Sequence, residues 1–392
     1  MTRPVLRTEL CDRLGIEYPV ILAGMGPVAG VGAPVATAEL AAAVSNAGGL
    51  GVLGGVAYPP DALRAEIQKV RSLTDKPFGV DLLLAPNFLV PRGRSAGQGE
   101  RAPRPAPKLP AEHVATVRKI AEELGIPWQE APRSGAVGSI GSWIPEGQSY
   151  AGAQMEVIVE QEVPVFASGL GTPAPFADVL KKHGIPILSL VGTVRAARQV
   201  AEGGADFVVA QGTEAGGHTG RIGTLALLAQ VMEAVAPVPT LAAGGVASGR
   251  ALAGVLAMGA VGAWVGSAFL VSDEANQPDL QKQRILDAEA EDTVVTRLYS
   301  GKTMRNVSNP LIEAWEASGL RALPMGLQGA LIRDLQYSIE QAGRHELLMN
   351  AAGQTVGMLK KRRPAAEILE ELVADAAAIL GRDLAARVTA SV

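Results

Sequence analysis

Short apolar runs alternate along this chain with segments whose apolar residues recur every three or four positions. In one such segment Leu63, Ile67 and Val70 fall on a single helical face. Most of the runs are continuous rather than alternating, which is typical of parallel strands buried on both faces. Eight runs are found, beginning at residues 19, 50, 78, 163, 185, 206, 238 and 261. The pattern predicts an α/β fold with a parallel sheet.

The number of runs suits closure of the sheet into a (β/α)8 TIM barrel, which needs roughly 250 residues. An open, doubly wound sheet is the structural alternative. Such sheets often carry a GxGxxG fingerprint at the first strand-to-helix turn, but that turn reads GMGPVAG here. We therefore predict the barrel.

Two segments fall outside the repeating pattern. Residues 86–159 are rich in Pro, Gly and Arg around one helical stretch, and they predict an insertion or lid after the third strand. A linker between two domains is the alternative, although the β/α pattern resumes afterwards. Residues 273–392 are mainly helical and predict a cap that packs on the barrel. The barrel itself is then assigned to residues 1–85 and 160–272.

Composition excludes several classes of protein. Of 392 residues, 48% are hydrophobic and the net charge is −4, which gives material for a large core and no case for nucleic-acid binding. The single cysteine, Cys11, cannot form an internal disulfide and is expected to be buried. Neither a signal peptide nor a membrane span is evident, so a cytoplasmic protein without membrane partners is expected.

Three predicted strand ends are rich in glycine, and barrel active sites lie at the carboxyl ends of strands. They read AQGTEAGGHTG (210–220), AAGGVASGR (242–250) and VGSAFL (265–270). The last two follow the seventh and eighth runs, where barrels commonly bind phosphate. A helix capped by Ser248 would also favour an anion. The glycines could instead serve only tight turns, but two adjacent loops at the expected strands favour phosphate binding.

His218 is the candidate catalytic residue, because it is the only one of four histidines that follows a predicted strand at its carboxyl end. A structural role is the alternative. The flanking glycines 216, 217 and 220, however, leave little side-chain bulk to bury it. A histidine that faces a cavity and has a pKa near neutral can remove a proton from a substrate carbon. In the same loop, Glu214 is expected to accept hydrogen bonds from backbone N–H groups.

Taken in order, the motifs resemble the nitronate monooxygenase / 2-nitropropane dioxygenase family of FMN-dependent TIM barrels, which is related to flavin-dependent enoyl-ACP reductases. The match extends over roughly residues 10–90 and 160–360. It is carried by PVILAGMG, SNAGGLGVLG, PFGVDLLL, AQGTEAGGHTG, LAAGGVASGRALAGVLAMGAVGAWVGSAFL and AAGQTVGML.

The resemblance implies FMN as the cofactor and no metal. His218 matches the family's catalytic histidine, and Gln211 would contact the flavin. The turn after the first strand would pass beneath the flavin, and the end of the third strand would touch it. The remaining implied cofactor residues are Ala23, Gly24, Met25 and Asp81 at these two strand ends, and Gly216, Gly217, Gly244, Gly245, Gly266 and Ser267 around the phosphate.

The chain also departs from the family pattern. Asp81 stands where the family carries an asparagine, which removes an amide donor and can add charge near the flavin. Ser267 and Ala268 replace the usual Thr-Arg pair, and the Pro-rich insertion after Leu84 is absent from shorter members. These differences bear on the substrate rather than on the cofactor.

The leading hypothesis is oxidation of alkyl nitronates by FMN and O2, with His218 deprotonating a neutral nitroalkane or holding the nitro oxygens. The rival is an NAD(P)H-dependent flavin reductase acting on an enoyl thioester or a quinone, which the large insertion favours. A non-enzymatic flavin-binding protein is a third hypothesis. The candidate catalytic residue His218 in an open glycine loop argues against it. Barrels of this kind often pair through surface helices, so a homodimer is the assembly to test.

Overall fold

A computed structural model of the chain describes residues 4–27, 33–89, 108–131 and 149–389. The strands of the described residues are β1 (Val20–Leu22), β2 (Gly51–Gly54), β3 (Phe78–Leu83), β4 (Val165–Gly169), β5 (Ile187–Val191), β6 (Phe207–Gln211), β7 (Gly217–His218), β8 (Thr240–Ala243), β9 (Ala263–Val265), β10 (Thr293–Thr296) and β11 (Met304–Val307). The helices are α1 (Glu9–Leu14), α2 (Ala38–Asn46), α3 (Pro60–Leu73), α4 (Pro86–Leu89), α5 (Ala111–Glu123), α6 (Tyr150–Glu160), α7 (Ala177–Lys182), α8 (Val194–Glu202), α9 (Thr224–Val235), α10 (Gly249–Ala257), α11 (Ser267–Leu270), α12 (Asp279–Asp287), α13 (Pro310–Ala317), α14 (Leu327–Gln341) and α15 (Ala365–Ala378). Single 3-10 or π turns cover Gly55–Ala57, Ala290–Asp292, His345–Leu347, Gln354–Met358 and Ile379–Asp383.

The eight predicted apolar runs form one parallel sheet, in the order β1-β9-β8-β6-β5-β4-β3-β2. Its two outer strands meet, because Ile21 and Leu50 form a parallel bridge. Two backbone bonds complete this closure: Leu22 N–H donates to Leu50 at 2.9 Å, and Leu50 N–H donates to Val20 at 3.0 Å. The predicted TIM barrel is therefore confirmed.

The barrel interior is filled by every second strand residue. Val52, Leu188, Phe207, Leu241 and Trp264 belong to one fully enclosed cluster. Helix α1 closes the amino end of the barrel by contributing its apolar residues to the same cluster. Cys11 lies in this plug with no exposed surface, so its predicted burial is confirmed. The amino end is thus sealed, and the opposite end carries the glycine-rich loops.

Helix α15 occupies the eighth position of the outer helical ring. It packs between α10 and α2, the helices of the seventh and first barrel units. The approach to α10 is close, because a Cβ on Gly249 would overlap the side chain of Asp375 and the backbone of Leu372 and Ala376. About 100 residues therefore separate the last barrel strand from the last barrel helix.

A second hydrophobic cluster joins helix α5 to the segment between β9 and α15. Val117 and Ile120 from α5 pack with Trp315 of α13 and Leu335 of α14. A small antiparallel sheet, in the order β10-β11-β7, connects this cluster to the barrel. Strand β7 belongs to the loop that follows β6, so the second cluster is attached directly to the carboxyl end of the barrel.

Within the predicted insertion 86–159, residues 90–107 and 132–148 lie outside the described part of the chain. Helix α6, at the end of that segment, packs against α3 and β3 of the barrel. Its Gln154 donates to the carbonyl groups of Gly55 and Tyr58 at 2.9 and 2.8 Å. No helix among the described residues is long and apolar enough to cross a bilayer.

Candidate functional site

The three glycine-rich loops lie side by side at the carboxyl end of the barrel. They follow β6, β8 and β9, which are consecutive neighbours in the sheet. The turn after β1 lies next to them, because Ala23 N–H donates to the carbonyl of Val265 at 2.8 Å. The topology therefore brings together the segments that carry most of the predicted site residues.

The turn after β1 contacts β3 on one side and the loop after β9 on the other. Gly24 lies so close to β3 that a Cβ added to it would overlap the Cβ of Asp81. A Cβ on Gly266 would lie 3.4 Å from Ala23 and 3.8 Å from the sulfur of Met25. These five predicted residues thus form one continuous patch of the barrel mouth.

Gly244 and Gly245 both have left-handed backbone conformations, with φ of +86° and +78°. Residues other than glycine rarely adopt a positive φ, and two in succession are rarer still. A Cβ on Gly244 would come within 3.0 Å of Gly212 and Ala215, whereas one on Gly245 would meet nothing closer than 3.9 Å. Ser248 caps α10 by accepting from Ala251 N–H at 3.2 Å, as predicted. The turn leaves open space next to a capped helix.

Glu214 accepts hydrogen bonds at the start of α9. Both carboxylate oxygens lie 3.0 Å from the backbone nitrogen of Thr224, and Oε2 lies 2.8 Å from its hydroxyl. The carboxylate therefore fixes the loop after β6 to the first turn of α9, where the helix dipole favours negative charge. The predicted role as an acceptor for backbone N–H groups is confirmed.

The late motif AAGQTVGML folds back over these loops. Gly353 N–H donates to the hydroxyl of Ser267 at 2.8 Å, and Gln354 N–H donates to the carbonyl of Glu214 at 3.0 Å. A Cβ on Gly216 would lie 2.6 Å from the backbone of Ala352. Gly216 and Ser267 thus have packing roles in addition to the cofactor roles that the sequence predicts.

His218 lies on β7 and is held from two sides. Its carbonyl accepts from Gln211 Nε2 at 2.6 Å, which ties it to the end of β6. Its imidazole Nε2 lies 2.9 Å from the hydroxyl of Ser300, in the turn before β11. The next residue, Thr219, exchanges hydrogen bonds with Thr303 from the same turn. The ring is therefore positioned by both the barrel and the second cluster.

Burial determines the protonation state of His218. Two effects lower its pKa from 6.5 to about 4. The larger is the removal of the ring from water, and the smaller is the positive charge of Lys302. The imidazole is consequently neutral at pH 7, and its pKa lies well below the near-neutral value expected for a strong base. Nε2 is engaged by Ser300, and Nδ1 has no partner among the described residues. Nδ1 is the nitrogen left for a substrate.

Asp81 is the second ionisable group with a strongly perturbed environment. Burial raises the pKa of its carboxyl group from 3.8 to about 8. Its Oδ1 is enclosed and has no hydrogen-bond partner among the described residues. A buried polar atom without a partner costs about 1–3 kcal/mol, which points to a ligand that would supply the missing bond.

Sequence reasoning missed the turn that carries Ser300, Lys302 and Thr303. This turn is 82 residues from His218 in the chain, and only the pairing of β7 with β11 brings the two together. The signal in the sequence was a Ser-Gly-Lys-Thr turn inside a region predicted to be helical. Arg305 was also missed. Its buried guanidinium donates from Nε to the carbonyl of Thr213 at 3.0 Å and so holds the loop that carries His218.

Comparison with known proteins identifies one family. The family model described as nitronate monooxygenase matches residues 7–375. A protein of Staphylococcus haemolyticus named a probable nitronate monooxygenase is 32% identical over 360 residues, covering 88% of this chain and 91% of its own length.

Two further proteins are similar over most of the chain. A solved structure of nitroalkane oxidase from Streptomyces ansochromogenes has a TM-score of 0.75 and 30% identity, covering 94% of this chain and 97% of that one. A 5-hydroxy-7a-methyl-1-oxo-octahydro-1H-indene-4-carboxyl-CoA dehydrogenase of Mycobacterium tuberculosis is 34% identical over 319 residues, which is 81% of this chain and 70% of that protein.

Proposed function

Because the chain belongs to the nitronate monooxygenase family and is therefore an oxidoreductase, we propose that it oxidises alkyl nitronates with O2 and uses bound FMN. The observation that carries this proposal is the neutral, half-buried His218 beside the positive charge of Lys302, which forms no ion pair among the described residues. Such a pair favours a small anionic substrate over a neutral one, because the imidazole offers a hydrogen bond and the ammonium offers charge.

The residues of the barrel mouth fit FMN. The open space at Gly245, next to the capped helix α10, suits the phosphate, and Gly217 on β7 likewise leaves open space. The partnerless Oδ1 of Asp81 suits a polar atom of the ring. When bound, FMN would supply the redox chemistry by accepting electrons from the nitronate and delivering them to O2.

His218 would bind and orient the nitronate rather than ionise a nitroalkane. A base with a pKa of about 4 has little power to remove a proton from carbon at neutral pH. An imidazole Nδ1–H, with Nε2 accepting from the Ser300 hydroxyl, can instead donate to a nitro oxygen. Lys302 would balance the charge of the bound anion. The preformed nitronate is thus the expected substrate.

The test is oxygen consumption by the FMN-loaded protein with propyl-2-nitronate and with 2-nitropropane at pH 7.5. We expect kcat/KM for the nitronate to exceed that for the neutral compound by at least tenfold. H218Q should lower the nitronate rate, whereas H183Q, at an exposed helix end, should not. Equal rates with the two substrates would remove the assigned role of His218, and no oxygen uptake with either would reject the function.

Reduction of a CoA thioester is the second candidate function. It is favoured by the similarity to the mycobacterial carboxyl-CoA dehydrogenase, which is 34% identical over 319 residues, against 32% over 360 residues for the Staphylococcus haemolyticus protein. Anaerobic titration with NADH and NADPH separates the candidates. Rapid bleaching of the flavin band by either nucleotide would support the reductase, and its absence together with nitronate turnover would support the oxidation.

A further inference from the structure

Asp81 stands out among the side chains of the barrel mouth, and we propose that it binds the flavin ring as a neutral carboxylic acid, so that the affinity for FMN falls when Asp81 ionises. This inference rests on the proposed function, because it takes FMN as the ligand. It concerns the one position at which this chain carries an acid where the resemblance implies an asparagine.

The surroundings of Asp81 leave its carboxyl group without a charge partner. Its neighbours in the barrel are Gly54 on β2 and Ala167 on β4, and Gly24 covers it from the turn after β1. None of these three residues ionises. His218 and Lys302 lie at the same end of the barrel, but neither shifts the pKa of the Asp81 carboxyl group. Among the described residues, burial is the one cause of its raised pKa.

A neutral acid and an amide offer the same kind of bonding. Protonated aspartic acid carries one O–H donor and a carbonyl acceptor, as asparagine carries an N–H donor and a carbonyl acceptor. Ionised aspartate can only accept. The edge of a flavin ring has both N–H and carbonyl groups, so the neutral acid can pair with it in the manner of an amide. The carboxylate cannot, because it has no proton to donate.

Proton linkage converts this difference into a pH dependence. The pKa of Asp81 is about 8 in the free protein, and a ligand that binds the neutral form more tightly than the ionised form raises it further. The dissociation constant of FMN should therefore be constant below that pKa. Above it, the constant should increase by up to about tenfold per pH unit until the pKa of the complex is reached.

The experiment is a titration of apoprotein with FMN, followed by quenching of flavin fluorescence, at several values between pH 6.5 and 9. The wild type is compared with D81N and with D75N, which removes an exposed carboxylate at the opposite end of the barrel. We expect the wild type and D75N to lose FMN affinity at least threefold between pH 7.5 and 9, and D81N to change by less than half of that. Ionisation of FMN itself acts equally on all three proteins.

The outcomes separate this inference from the proposed function. Parallel pH curves for wild type and D81N would overturn the inference while leaving FMN binding intact. No binding of FMN by any of the three proteins at any pH would instead reject the proposed function. Should D81N fail to fold, the wild-type series alone decides, since a dissociation constant that stays flat through pH 9 contradicts the linkage.

Discussion

The imidazole Nε2 of His218 lies 2.9 Å from the hydroxyl of Ser300, although the two residues are 82 positions apart. His218 follows a barrel strand, whereas Ser300 belongs to the segment between the last barrel strand and the last barrel helix. The hydroxyl accepts from Lys302 N–H at 3.2 Å, and its one proton can go to the imidazole or to the more distant Lys302 carbonyl and Met304 sulfur, at 3.4 and 3.3 Å. Ser300 therefore couples the tautomer of the imidazole to the fold of the second cluster.

Removal of the Ser300 hydroxyl should impair turnover more than substrate binding. S300A deletes one hydrogen bond to the ring, worth about 0.5–1.5 kcal/mol, so we expect kcat to fall roughly two- to tenfold with KM nearly unchanged. Steady-state kinetics with a nitronate measures both constants. S308A removes an exposed hydroxyl near α13 and serves as the control. If S300A matched S308A, the positioning role of Ser300 would be wrong.

Loss of the charge at Lys302 should act on both the substrate and the histidine. K302M is expected to raise KM for an anionic nitronate roughly two- to fivefold, as for a partly solvated charge pair. It should also raise the pKa of His218, because the Lys302 charge is the second cause of its low value. The acid limb of kcat/KM would then move to higher pH. K76M, at the far end of the barrel, should leave both quantities as in the wild type.

The low pKa of His218 predicts a pH-dependent stability. The pKa is about 4 in the folded protein and 6.5 in the unfolded chain, so the unfolded chain binds more protons between these values. The free energy of unfolding should therefore decrease as pH falls from 6.5 to 4, by at most roughly 3 kcal/mol from this residue. Urea unfolding of wild type and H218Q at pH 7 and 5 checks it. The gap between the two proteins should narrow or reverse at pH 5; a constant gap would contradict the assignment.

One methyl group added to the AAGQTVGML motif should disturb its packing against the glycine-rich loops after β6 and β9. Gly353 has φ of −84°, which alanine adopts freely, but its Cβ would collide with the carbonyl of Glu214 and crowd Ser267. G353A should therefore weaken FMN binding about tenfold while the barrel stays folded. G254A places a methyl group in open space on α10 and should bind FMN normally. Equal affinities in the two variants would show that the motif does not shape the cofactor site.

The barrel was predictable from sequence because its eight strands are short, continuous apolar runs that alternate with helical patterns. Ser248 and Glu214 were predictable for a related reason, since both bond locally, Ser248 to a residue three positions away and Glu214 to one ten positions away. The contact of Ser300 with His218 was not, because local patterns carry no information on which distant strands will pair. The position of α15 was hidden in the same way, because its apolar face packs against α10 and α2, which lie more than 100 and more than 300 residues earlier in the chain.

Asp81 shows a different limit of prediction from sequence. Its location at the end of β3 follows from the apolar run before it, but its protonation depends on the absence of charged neighbours on two other strands and a turn. Only the three-dimensional structure assembles Gly24, Gly54 and Ala167 around the carboxyl group. The acid-for-amide replacement is visible in the sequence, whereas the chemical form of the acid is not.

Helix α15 has a consequence for synthesis on the ribosome. The apolar faces of α10 and α2 that it covers are translated well before residues 365–378 emerge. A nascent chain can therefore pair all eight barrel strands and still leave the apolar faces of α10 and α2 exposed to solvent until residues 365–378 have been synthesised. During that interval the exposed apolar faces can aggregate with other chains unless chaperones bind them. A product that ends before α15 keeps these apolar faces exposed. We therefore expect truncated products to be degraded rather than to accumulate.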